Sequence, residues 1–185
     1  MKRTEIKKRI QSAEQNTNIC VLYFNYAPYC FNLIPLLSKD KLFLCALEDD
    51  FILDGYTIRR FKDVIKAKVQ KDLCDIILEK EGIVQNLITP DIDISEWKSV
   101  FQSLEFIGRN IIVEKETFDG KDDQFIIGRI EKIGKHFVSV WNFDADGIWN
   151  NSPTHVPYSE ITSVTFDSRY VTVFSKYICD PPLEG

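Results

Sequence analysis

The chain has little of what metal, cofactor and nucleophile sites are commonly built from. Its 185 residues include two histidines, His136 and His155, and five cysteines, no two of which stand two residues apart. A zinc ribbon or a disulfide framework needs paired spacing, so neither is expected. No nucleophile elbow, phosphate loop, Gly-rich dinucleotide loop or His-Glu-x-x-His helix is present. The longest apolar runs, Ile19–Phe24 and Leu42–Leu47, are strand-sized, whereas a membrane span needs roughly 20 apolar residues. The charged start, Met1–Ile10, leads into no apolar signal segment. The length leaves little room for a complete eight-stranded α/β barrel. These absences lead to an expectation of a cytoplasmic protein with no cofactor, no metal, no membrane contact and no enzymatic activity.

What is present suits a folded chain. Apolar residues make up 44% and charged residues 28%, too mixed for global disorder. The net charge of −5 is unevenly spread. Residues 1–90 carry 14 basic and 12 acidic groups, and residues 91–185 carry 9 and 16. The acidic second half would repel a phosphate backbone. Cys20, Cys30, Cys45, Cys74 and Cys179 read as small buried hydrophobes in a reducing compartment.

Residues 4–14 predict a helix, with Thr4 as N-cap and Ile6, Ile10 and Ala13 on one face. Strands follow at 19–24, 31–37, 42–47, 56–60 and 64–69, with Pro35 implying an edge or a bend and Asp54-Gly55 a turn. Residues 73–82 predict a helix between an Asp72 N-cap and Gly82. A linker at 83–94 and a helix at 95–106 follow, with Gly108 near its end. The remainder is richer in β pattern: 110–116, 124–133 with Gly128 as a bulge, 136–143 and 161–166. The segment 169–177 has helical spacing, but Val171-Thr172-Val173 favours a strand.

The two halves repeat one order: a helix, a strand, a loop, two longer strands, an acidic turn, a short strand and a final strand. Asp63 and Glu160 are counterparts 97 residues apart. This order predicts units at 1–88 and 89–185. One helix, five short strands and the segment Pro157-Tyr158-Ser159-Glu160-Ile161-Thr162-Ser163-Val164 resemble a small Sm-like or SH3-like barrel. The chain also resembles a family of small bacterial proteins without an assigned activity, chiefly through residues 108–177. The fold expectation is therefore mainly β (α+β): two tandem small Sm-like/SH3-like barrels, each preceded by a helix. The Sm-like resemblance implies RNA binding in some relatives and protein contacts in others, although no Asn-Gly-type uridine-contacting loop is evident.

Candidate sites follow from exposed chemistry. Glu48, Asp49 and Asp50 form one acidic turn, and Asp144 and Asp146 form another beside Trp149. An exposed Trp with a polar rim is a common protein-binding anchor, so these residues form the first candidate surface, for a protein partner. Lys7, Lys8 and Arg9 on the first helix, with Arg59 and Arg60, form the alternative, a nucleic-acid surface. A site between the barrels, carrying no known motif, is the enzymatic alternative. Asn142–Gly147 partly matches a calcium loop, but Pro153 stands where the bidentate Glu belongs, so a plain turn is the favoured reading. The leading expectation is a non-enzymatic binding or adaptor protein, with an uncovered edge strand as a route to a homo-oligomer.

Overall fold

The computed structural model describes residues 1–69 and 73–180. It is mainly β. Ten antiparallel strands form one sheet in the order β5-β1-β2-β3-β4-β10-β6-β7-β8-β9. The first half contributes β1 (Cys20–Phe24), β2 (Cys30–Ser38), β3 (Leu42–Asp49), β4 (Ile52–Arg60) and β5 (Val64–Val69). The second contributes β6 (Ile111–Lys115), β7 (Gln124–Ile133), β8 (Phe137–Asn142), β9 (Thr154–Pro157) and β10 (Ser163–Phe166). Within each half the last strand pairs with the first, and the rest follow in sequence. The expected pair of closed barrels is replaced by an open sheet. β4 pairs with β10, Arg59 opposite Ser163 and Tyr56 opposite Phe166, leaving β5 and β9 as edges.

Four helices flank the strands: α1 (Arg3–Asn16), α2 (Leu73–Lys80), α3 (Trp97–Ile107) and α4 (Arg169–Phe174). Strand alternation gives the sheet two faces, and both are covered. On one face, Ile6, Ile10 and Ala13 of α1 pack against Leu22, Leu33, Phe43 and Cys45. Further along that face, Val171 of α4 packs against Ile112, Ile127 and Phe143. On the other, Trp97, Val100, Phe101 and Leu104 of α3 meet Ile58, Val113, Ile126 and Val164. Leu78 of α2 meets Ile34 and Ala46. Leu42, Leu44 and Ile58 of the first half belong to the same buried cluster as β6, β7 and α3. The core thus runs across the expected 88/89 boundary. Each fully buried Leu or Ile contributes about 1.5–3 kcal/mol, so this shared cluster fixes one half against the other.

Several local expectations are corrected. Residues 169–174 are helical, not extended, because Ser168 caps α4 by accepting from the Val171 N–H. Thr4 lies inside α1, whose N-cap is Lys2. Asp72 falls outside the described residues. Asp54-Gly55 is no turn but part of β4. Gly55 has φ +81°, and a Cβ there would stand 2.4 Å from the Ser168 nitrogen. Gly128 is not a bulge: it pairs in register with Ile111 and Asn142. A Cβ there would stand 1.9 Å from the Trp141 carbonyl oxygen. Pro35 does mark a register shift, yet β2 is an interior strand. Only Cys20 and Cys45 are buried; Cys30, Cys74 and Cys179 are exposed.

Candidate basic cleft

At one end of the strands the two halves frame a cleft of about 670 Å³. The first turns of α1 supply Arg3 and Lys7. The β2–β3 turn supplies Asp40 and Lys41, and the 3₁₀ turn at Phe61–Asp63, where β4 passes into β5, supplies Phe61 and Lys62 after Arg60. The second half supplies Glu96, Trp97 and Lys98 at the start of α3, Lys135 from the β7–β8 turn, and Tyr158 and Ser159 from the β9–β10 turn. Seven cations therefore meet two carboxylates, in a chain whose net charge is −5.

The cations are held to different degrees. Arg60 is fixed at both ends of its guanidinium: its Nε donates to Asp63, and its Nη1 donates to the Ser159 carbonyl at 2.8 Å. Lys7 Nζ lies 5.1 Å from the centre of the Phe61 ring and 3.9 Å from Asp40. Lys41, Lys62 and Lys135 are exposed, with three ammonium donors each. The apolar wall has a built geometry. Tyr158 stacks on Phe101 at 5.9 Å and donates its hydroxyl to the Gly134 carbonyl at 3.0 Å. Phe101 in turn lies 6.3 Å from Trp97. Burial, with Glu96 adding to it, raises the Tyr158 pKa, so the phenol stays neutral and a donor.

The structure sorts the basic candidates. Lys7 and Arg60 enter the cleft. Lys8 is exposed but does not line it, and Arg9 is spent on Glu5 at 2.8 Å and the Ala67 carbonyl at 3.0 Å. Arg59 is a correction. The adjacent residue Arg60 faces the cleft, so by strand alternation Arg59 faces the other side of β4, where it is 4% exposed. It lies over the Phe24 and Phe31 rings at 5.0 and 4.4 Å, and donates to the Tyr26 hydroxyl at 2.9 Å. Burial lowers its pKa, but Tyr26 and Glu116 outweigh that and raise it overall. Lys41, Lys98 and Lys135 were not singled out by sequence, since they stand on three separate elements, two turns and the start of α3.

The acidic candidates do not build a comparable site. Asp49 borders a depression with Asp54, Asp167 and Arg169, and Trp149 borders another with Arg109, Asn110 and Cys179. Asp50 takes a positive φ at the tip of the β3–β4 turn, and Glu48 accepts from the Phe51 N–H at 2.7 Å. Asp144 accepts from the N–H groups of Asp146 and Ile148, both at 3.0 Å, which closes the turn on itself. Trp149 is half-buried: its ring meets Phe143 edge-on at 5.1 Å, and its indole N–H donates to the Cys179 carbonyl at 2.8 Å. His155 Nδ1 is 2.6 Å from the Ser139 hydroxyl. Among the described residues, no cluster of three or more His, Cys, Asp or Glu could hold a metal, and no helix is long and apolar enough to cross a membrane.

No family model, curated protein or solved structure matches this chain.

Proposed function

We propose that this protein is a non-catalytic binding protein whose basic cleft takes a single-stranded nucleic acid. One observation carries the proposal: seven cations from both halves surround an apolar wall made of the half-buried Tyr158 and the edges of the buried Phe61 and Trp97. Single strands are held by grooves that combine basic groups for the backbone with aromatic surface for the bases. The order of one helix followed by five strands recurs in both halves, and both halves line the cleft. The acidity of the second half does not oppose the reading locally, because Lys98 and Lys135 bring that half's basic groups to the cleft. Recognition of a protein through the acidic turns carries less support, since the Trp149 indole is already bonded within the chain.

The test is charge reversal at three exposed positions: Lys41→Glu, Lys62→Glu and Lys135→Glu together. Retention of a labelled single-stranded RNA 12-mer at low salt should fall by at least about tenfold, since each lost phosphate contact weakens binding electrostatically. Far-ultraviolet circular dichroism should be unchanged. Equal retention by the folded variant overturns the assignment.

A further inference from the structure

A pocket of about 390 Å³ lies where α4 and the turn after it meet the start of β6, and it shares no lining residue with the basic cleft. Its floor follows from strand register. Ile111 of β6 pairs with Gly128 of β7. Carried one residue back from Ile111, the same antiparallel count sets Asn110 opposite Arg129, both on the face that α4 covers. Directly opposed residues have Cβ atoms about 5 Å apart. The walls are apolar: Val171 of α4, Ile178 and the half-buried Trp149, whose ring is fixed by its bond to the Cys179 carbonyl.

Asn110 is 6% exposed and holds an unfilled acceptor. Ser175 Oγ donates its only proton to the Val171 carbonyl at 2.6 Å, so toward Asn110 it can only accept. Asn110 Nδ2 is therefore the donor to it, at 2.9 Å. That orients the amide and leaves Oδ1 with no donor among the described residues. A buried acceptor without a donor is unfavourable until something supplies one. Arg129 is exposed and makes no ion pair or hydrogen bond among the described residues. Arg109, also in the lining, is paired with Asp167 at 2.6 Å. Asp180 is the other carboxylate of the lining and is exposed.

We infer that this pocket binds an N-acylated α-amino acid with an apolar side chain, either as a free small molecule or as the last residue of a peptide. Its carboxylate takes the Arg129 guanidinium, its amide N–H donates to Asn110 Oδ1, and its side chain lies against Val171, Ile178 and Trp149. The roots of Asn110 and Arg129 stand side by side, which calls for a donor and an anion on neighbouring atoms. An α-amido carboxylate has them there, whereas a nucleotide separates its base from its phosphate by the sugar. With Asp180 in the lining, a single negative charge suits the balance better than a phosphate dianion. A neutral amide N–H also reaches a buried oxygen at less desolvation cost than an ammonium does. Oδ1 is closed to water in the free protein. Donation to it therefore comes with a displacement of α4, a six-residue helix held by packing rather than by its own bonds. The inference stands apart from the nucleic-acid reading, because the two sites draw on different residues.

The experiment titrates N-acetyl-leucine into the full chain labelled with ¹⁵N. The amide signals of Asn110, Val171 and Thr172 should move in a saturable way, with a Kd at or below about 1 mM. Isocaproate, which lacks the N–H, and N-acetyl-leucinamide, which lacks the carboxylate, should each bind at least about fivefold more weakly, as loss of a hydrogen bond to a buried or charged group implies. Arg129→Gln, at an exposed position, should weaken N-acetyl-leucine by a similar factor while leaving the spectrum folded. An N-acetylated pentapeptide ending in leucine separates the sources: tighter binding than N-acetyl-leucine assigns a peptide terminus, and weaker binding a free small molecule. No saturable shift up to about 20 mM N-acetyl-leucine overturns the inference. So does equal binding of either truncated ligand, or of N-acetyl-leucine to the Arg129→Gln protein. Charge reversal in the basic cleft should leave this titration unaffected, so the two sites fail independently.

Discussion

Arg60 donates to the Ser159 carbonyl at 2.8 Å across 99 positions of sequence. The bond joins the end of β4 to the β9–β10 turn, and so ties the two halves at the mouth of the basic cleft. The same guanidinium donates to Asp63, whose side chain is 7% exposed. Arg60→Ala therefore strands a buried carboxylate as well as removing a cation. Urea unfolding should show a loss of about 2–4 kcal/mol. Arg60→Lys keeps the charge but not the planar fork, and should recover part of the RNA binding and less of the stability.

Glycine at 128 is required by the close approach of β8. Gly128→Ala brings a methyl to 1.9 Å from the Trp141 carbonyl oxygen, so β7 and β8 must separate. Thermal unfolding should register a loss of about 3 kcal/mol or more. A loss below about 0.5 kcal/mol, the level of a neutral surface change, would contradict the pairing.

Thiol labelling separates the cysteines. Burial pushes the Cys20 thiol up to about 12 and raises Cys45 well above its ordinary value. The thiolate is the reactive form. In the native protein a maleimide should therefore label Cys30, Cys74 and Cys179 quickly and leave Cys20 and Cys45 until denaturant is added. Fast labelling of all five would contradict the α1-side core.

Glu116 gives the stability a pH signature. Burial raises its pKa above 4.5, the nearby Arg59 charge offsetting this only in part. The native state thus holds this proton more tightly than the unfolded chain does. Its contribution is greatest at or below pH 4.5 and is lost as pH rises through the native pKa. Measured by urea unfolding as pH rises from about 4 to about 7, the difference between Glu116→Gln and the parent should shift in the variant's favour. A flat difference would show that Glu116 titrates as it does in the unfolded chain.

Local signals in the sequence located α1, α2, α3 and most strands. Gly82 and Gly108 take positive φ after α2 and α3, as helix-ending glycines do. The repeated order of elements was also legible, because each half follows the same alternation of apolar runs and turns. Asp54-Gly55 misled because a positive-φ glycine within a strand carries the same local mark as a turn. Its cause is the backbone of Phe166–Ser168, over a hundred residues away. Helix α4 was misread from its β-branched residues, although Ser168 offered a cap signal. The opposed fates of Arg59 and Arg60 follow from strand periodicity alone. The cleft was not legible as a unit, since its cations come from separate elements that only the β4–β10 pairing brings together.

The salt dependence of RNA binding tests the central claim most directly. Anisotropy of a labelled single-stranded 12-mer should give a log Kd that rises with log salt at a slope of about 2–4, as expected for three to five phosphate contacts at about 0.7 each. The Lys41, Lys62 and Lys135 reversal should lower that slope by about 2. A slope near zero, or an unchanged slope in the variant, would contradict a phosphate-binding cleft.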